Sequence, residues 1–473
     1  MFRALAIMLI LPTTPAALLA ASDAPPNFDA ARQLTFDSYH HNLTNANVWS
    51  PDGRRIVYDI RSPGQFDGKR IEEVDVLTGD KRTLYQNHQG AHCGVATFDS
   101  REERVVFILG PENPAPDWTY GFTRRRGVLV KTDRPGESRP LDAMNYRPPF
   151  TPGALRGGSH LHVFSPDGKW VSFTYDDEIL AQLDISPGKA AHEPNQRNLG
   201  IALPHGPVHV AKNYPWNHDG DWFSVLVTRT SAQPELGSDE ISRASEEAWV
   251  GINGYIRIDG VRQERALAFQ GEVVAADGSK YTEVFIVDLP ADLTREGSSP
   301  LAGTLTTRPA PPSGVSQRRL THTSQRRYPG LAPAPRHWLR SAPDGSAIAF
   351  LQKDDAGVVQ LWTISPNGGT PRQVTRNSYD IASSFTWSPD GRFITHVMDR
   401  SICLTEMATG TTTRLTNPAM KDMPLPTACV YSPAGDKICF SAMSLTPEGS
   451  YTQIYIVNAY RQNPGPESAM ELR

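Results

Sequence analysis

At 473 residues, 39% of them hydrophobic and 21% charged, the chain is long enough to bury a large core and too apolar to be a solvated, disordered one. Lys and Arg number 47 against 51 Asp and Glu, a formal net charge of -4, and no long basic run breaks that balance, which excludes a nucleic-acid groove and an anionic-membrane patch. Four cysteines, Cys93, Cys403, Cys429 and Cys439, include no CxxC, so zinc knuckles and thioredoxin-like sites are excluded as well.

In chain order, Arg3 precedes an apolar stretch and then small residues through Ala24. Residues 1–24 read as a secretory signal peptide, which makes the mature chain periplasmic or secreted. No later stretch is apolar for long enough to span a bilayer as a helix. Export permits disulfides, and Cys403 with Cys429, or Cys429 with Cys439, would pair if their strands are neighbours; buried free thiols are the alternative.

A short phrase then recurs: WSPDG at 49–53, FSPDG at 164–168, SAPDG at 341–345, WSPDG at 387–391 and YSPAG at 431–435. FDSRE at 98–102 and WNHDG at 216–220 stand where two more copies fit. Pro presets one dihedral, Asp bonds the local backbone and Gly accepts a positive φ, so each phrase is a tight turn between two strand-like runs. Second positions at 50, 99, 165, 217, 342, 388 and 432 give mostly steps of one propeller blade. A four-stranded sheet that is apolar on both faces cannot stand alone, and stacking such sheets in a closed ring buries both faces and leaves only short edges. The reading is therefore all-β: residues 25–473 form one seven-bladed β-propeller of four-stranded antiparallel blades. The run QLTF at 33–36 supplies the outer strand of the last blade, beside YTQIYIV, and closes the ring. Insertions are expected near 110–126, 190–218 and 230–335, and the last contains DEISRASEEAWVGIN, whose Ala, Arg and Glu suit a short helix capped by Asp239 or Ser242. The run QGEVVAADGSKYTEVFIVDLP, in the same stretch, reads as a hairpin that would allow an eighth blade.

Histidines collect just before these phrases, where the innermost strand of each blade begins and the ring is narrowest. His160 and His162 are two apart on a predicted strand, so period-two alternation would put both rings on one face. A third imidazole, His209 or His92, would complete a site for Mn, Fe, Ni, Zn or Ca or an acid–base pair. Arg156 enters the same strand and suits an anion, His92 and Glu247 are candidate proton-transfer groups, and Arg336, His337, Trp118 and Arg126 are candidate substrate contacts. GxSxG, HExxH and the Walker loop do not occur, which argues against an α/β-hydrolase, a zincin and a P-loop enzyme.

The WSPDG phrases resemble those of the periplasmic Tol propeller family, and SHLHVFSPDGKWVSFTYDDE, SRASEEAWVG and RALAFQG resemble a bacterial family of Tol-like propellers. The chain is also similar to oligogalacturonate lyases, propellers whose channel histidines bind a divalent metal; that resemblance implies His160 and His162 as metal ligands. Two functions follow as expectations. The first is a metal-dependent lyase acting on an acidic oligosaccharide in a His-lined channel. The second is a non-catalytic envelope propeller that binds a protein or glycan partner.

Overall fold

The computed structural model describes residues 30–459 apart from 63, 187–190 and 419–420; the signal segment 1–24 lies outside the described residues. Seven four-stranded antiparallel sheets follow one another in the chain and form a seven-bladed propeller. Blade one has Arg55–Ile60 as its second strand, blade two runs inside-out from Cys93–Phe98 and blade three from Gly157–Phe164. Blade four begins with Ile241–Trp249, blade five with Arg340–Ser341 and blade six with Thr386–Trp387. Blade seven is built from Pro424–Tyr431, Lys437–Thr446 and Gly449–Asn458, and its outer strand is Arg32–Gln33, with Arg32 opposite Ile456. The ring is closed by the N-terminal strand, as the QLTF run predicts.

Each junction between neighbouring blades is filled by its own apolar cluster. Val57, Leu84 and Phe107 join blades one and two, while Val106, Phe164 and Phe173 join two and three. Leu199, Phe269 and Phe285 lie between three and four, and Ile286, Leu339 and Phe350 between four and five. Burial of both faces of every sheet is why the strands read as nearly continuous apolar runs rather than as clean alternation.

The repeat phrase has a specific task in this ring. Ser50 Oγ donates to Asp52 Oδ1 at 2.5 Å and accepts from Arg55 N at 2.9 Å; Ser388 with Asp390 and Phe393 N repeats the pattern. The aromatic position bolts blades together. Trp49 Nε1 donates to Val430 O, Trp249 Nε1 to Val163 O and Trp387 Nε1 to Arg340 O, each at 3.0 Å and each into the preceding blade. The turn glycine adds a close approach: Gly391 has φ +72, and a Cβ there would sit 3.4 Å from Cδ of Pro343 in the blade before it. Replacing Trp249 by Phe keeps the ring but removes the donor, with an expected loss of about 1 kcal/mol in urea unfolding. An unchanged midpoint and slope would show that the bolt carries no energy.

Three sequence expectations are corrected. The stretch DEISRASEEAWVGIN is no helix. Residues 241–249 form the innermost strand of blade four, paired with Arg265–Val274. Helix propensity amounts to tenths of a kcal/mol per residue and yields to burial between two blades. The phrase WNHDG is not a blade turn: His218 bridges Met144 in an insertion of blade three, and the turn of blade four follows Trp249, where Ile252 N donates to Pro343 O at 2.8 Å. Finally, the hairpin that would allow an eighth blade is the middle of blade four, in strands Arg265–Val274 and Lys280–Leu289. The four cysteines are free and buried, which settles the open pairing in favour of thiols.

Candidate functional site at the channel mouth

The innermost strands of blades two, three and four each break at one residue with positive φ: Val95 at +57, Leu161 at +55 and Glu246 at +53. Each sits at a register shift against the second strand of its blade. A β-branched or bulky side chain seldom adopts this conformation, and such bulges re-aim neighbouring side chains. Leu161 and Val95 pack with Trp338 and Phe66 as an apolar band inside the ring.

The bulge undoes the pairing of His160 with His162. Period two fails across Leu161, and the rings part. His162 turns into the sheet, fully buried, 3.4 Å from Asp142 Oδ2 and 5.6 Å from the Phe173 ring. Asp142 is buried as well, and it accepts from Ser159 Oγ, Ser224 Oγ and Gly127 N. Burial would raise its pKa, but His162, Ser159 and Gly127 outweigh that and hold it below the usual range. His209 is 75% exposed and pairs with Asp219 on the outer insertion. The three imidazoles therefore do not converge, and among the described residues no group of three or more His, Cys, Asp or Glu is placed to hold a metal ion.

Other candidates are spent on structure. Arg156, 1% exposed, meets Asp177 at 2.8 Å and donates to the carbonyls of Thr304 and Thr307, pinning the insertion of blade four. His337 is buried with Nδ1 3.0 Å from Pro335 O and Nε2 accepting from Leu351 N at 3.2 Å, so both nitrogens are occupied; burial lowers its pKa to about 4. Trp118 is stacked between Trp216 and the Arg124 guanidinium, and Arg126 pairs with Glu112. These two line a cleft of about 20 Å³, room for a single water.

What gathers at the channel mouth is arginine. Arg61 follows the second strand of blade one, Arg125 and Arg197 precede the third strands of blades two and three, and Arg336 precedes the first strand of blade five. Up-and-down blade topology puts all four at the same end of the ring, the end where the half-buried His160 stands in the first half of its strand. The His160 pKa is pushed well below its usual value, first by burial and then by the charges of Arg125, Arg197, Arg336 and Arg61. Its imidazole is therefore neutral at pH 7. Three of these arginines have carboxylate partners: Arg61 with Asp59 at 2.9 Å, Arg197 with Asp176 at 2.9 Å and Arg336 with Glu246 at 2.8 Å. Arg125, 8% exposed, forms no ion pair among the described residues; Nη1 donates to Tyr120 Oη at 3.0 Å and Nε has no partner. Tyr120 stacks on Phe66 at 4.3 Å and meets the edge of His92 at 5.9 Å. Arg336 lies over the Trp338 ring at 4.6 Å. The expected His-lined channel is thus an arginine-and-aromatic mouth, with His160 and His92 set among them.

Below the mouth the channel opens into a cavity of about 420 Å³, lined by Asn45, Leu161, Glu247, Trp249, Trp338 and Arg340. It runs on past Trp249 and Arg340 to the turn prolines Pro51, Pro166, Pro343, Pro389 and Pro433. Glu247 and Arg336 are candidates from the sequence and Arg125 lies in the arginine run 124–126 beside the Trp118 loop, whereas Arg61, Arg197, Asn45 and Arg340 are not among those candidates. Arg340 stands in WLRSAPDG, one residue before a repeat phrase, which is the signal that places it on an innermost strand.

Fold and mouth together define a seven-bladed propeller with a charged channel. Within that class the chain belongs to the family of the uncharacterised protein YidR of Escherichia coli K12. It is 47% identical to that protein over 410 residues, 86% of this chain and 93% of YidR. Residues 92–218 match the family described as protein of unknown function, DUF3748. Among solved structures, an oligogalacturonate lyase in complex with manganese superposes with a TM-score of 0.54 at 13% identity, covering 93% of this chain and 96% of that one. An oligogalacturonate lyase from Vibrio parahaemolyticus gives 0.53 at 11%, covering 92% and 94%. Those two likenesses are of fold. The Tol likeness of the turn phrase is also one of architecture, since the phrase is the blade's turn and bolt.

Proposed function

We propose that this chain is a non-catalytic propeller of the cell envelope that binds an anionic glycan at the arginine-ringed mouth of its channel. The observation that carries the reading is Arg125: a buried guanidinium with no ion-pair partner among the described residues, in the field of three further arginines and beside a neutral imidazole. Burying an unpaired charge is unfavourable, and an incoming carboxylate would complete it through charge-assisted hydrogen bonds. Phe66, Tyr120 and Trp338 give the mouth an aromatic lining of the kind common in carbohydrate sites. The fold shared with oligogalacturonate lyases agrees with a carbohydrate ligand.

Calorimetric titration with trigalacturonate, with maltotriose as the uncharged control, tests this. The parent should bind the acidic sugar, more weakly as salt rises, and ignore maltotriose. Arg125→Ala and the exposed Arg336→Ala should each weaken binding about tenfold while the proteins stay folded. Equal affinity for the two sugars, or no effect of either substitution, would sink the proposal.

The lyase reading keeps one specific support, the neutral His160 among arginines, which suits a base that removes a proton beside a carboxylate. His160, His162 and His209 do not fit a bound manganese, so no step is routed through one. Trigalacturonate left with the protein should stay intact; an unsaturated product that disappears in His160→Ala would favour the lyase instead.

A further inference from the structure

Glu247 sits below the mouth in an unusual state. It is 2% exposed, it lines the central cavity, and neither carboxyl oxygen has a hydrogen-bond partner. A buried polar group left unpaired costs about 1–3 kcal/mol, and one that faces a cavity asks for a ligand. Across the same cavity stands Arg340. It donates to Leu339 O at 3.0 Å and to Asn45, its Nε has no partner, and it forms no ion pair among the described residues. The backbone commits to this arrangement, because the positive φ of Glu246 and the register shift between Ser245 and Ala248 set Glu247 in place. Trp338 and Leu161 form the apolar wall above.

We propose that this cavity is a second subsite of the same channel, in which Glu247, Arg340 and Asn45 take the hydroxyl groups of a sugar ring whose acidic neighbour occupies the arginine mouth. The assignment rests on the anionic-glycan reading of the mouth. The chemistry of the pair selects hydroxyls. The charged groups acting on Glu247 are Glu246 from its own strand, Arg340 from the first strand of blade five and Arg197, just before the third strand of blade three. Burial, with Glu246, raises the Glu247 pKa to about 8 against the pull of its own backbone N–H and of the two arginines. At neutral pH it is a carboxylic acid, with one O–H to donate and a carbonyl oxygen to accept. Arg340 stays charged, its pKa lowered by burial only to about 10. A sugar ring carries vicinal hydroxyls that meet both a donor fork and a neutral acid, and a flat face for Trp338. An ammonium group would instead face Arg340 and Arg197. The cavity volume lies within the usual range for small-ligand sites.

The test is calorimetric titration of parent, Glu247→Gln and Glu247→Leu with trigalacturonate and with monomeric galacturonate, from pH 6 to 9.5. The parent should bind the trisaccharide more weakly above pH 8, as Glu247 ionises. Glu247→Gln should keep the neutral-pH affinity within about threefold and lose that decline, because an amide offers a donor and an acceptor without titrating. Glu247→Leu should lose about tenfold for the trisaccharide and little for the monomer, which the mouth alone accommodates. If all three proteins bind the trisaccharide alike at every pH while Arg125→Ala still weakens it, the subsite falls and the mouth stands. If the parent binds neither sugar, both fall.

Discussion

Replacing Arg156 by Ala should lower the stability of the fold by about 3–5 kcal/mol. Arg156 is among the largest fully buried side chains of the protein. Its Nε meets Asp177 Oδ2 at 2.8 Å, its other nitrogens hold the carbonyls of Thr304 and Thr307, and the guanidinium lies 4.9 Å over Phe150. Without it the Asp177 carboxylate stays buried, supported by Tyr175 Oη at 3.0 Å and by Leu180 N at the start of helix Glu178–Asp184. Uncompensated buried charge is where large losses come from, and the insertion carrying Thr304 also loses its anchor. Urea unfolding of Arg156→Ala and of Arg156→Met measures it. Met should recover part of the packing but not the ion pair. A loss below about 1 kcal/mol in both would contradict the structural assignment and return Arg156 to the list of ligand contacts.

Glu247→Gln should stabilise the protein, and by an amount that grows with pH. The folded carboxyl has its pKa raised from 4.5 to about 8. Below pH 4.5 it is protonated in both folded and unfolded chains and contributes no slope. Between 4.5 and 8 the unfolded chain releases the proton while the folded one keeps it, so stability falls with rising pH by about 1.4 kcal/mol per unit. Above pH 8 the accumulated cost is on the order of 5 kcal/mol. Gln cannot ionise and abolishes this contribution. The difference between the two proteins in chemical unfolding should therefore be near zero at pH 4 and largest at pH 9. Taking the difference removes the opposite slope at low pH from His337 and His396, both buried and lowered to about 4. A difference that is flat from pH 4 to 9 would mean that the carboxyl is solvated in the folded protein.

The blades were legible because the turn chemistry is local. Ser, Pro, Asp and Gly at fixed offsets make their bonds within five residues, as Ser50, Asp52 and Arg55 do, so the phrase reports the turn whatever the rest of the chain does. Blade four was not legible, because its turn after Trp249 carries no such phrase and its first strand is rich in helix formers. The site was only half legible for a related reason. Strand periodicity predicted a shared face for His160 and His162, but the bulge at Leu161 depends on the second strand of the blade and on close packing around Gly158, where a Cβ would meet Phe122 O. Arginines that converge from the ends of strands in blades one, two, three and five share no spacing in the sequence. Arg125 is the middle of three consecutive arginines, 124–126, and nothing local distinguishes it from Arg124, which pairs with Glu178. That it forms no ion pair among the described residues is a property of the assembled ring.

The most direct measurement is the crystal structure of the protein with trigalacturonate. The account predicts one uronate carboxylate at the channel mouth within hydrogen-bond reach of Arg125, and a second ring below it with hydroxyls on Glu247 and Arg340. Sugar bound on an outer blade face, with Arg125 and Glu247 untouched, would contradict it.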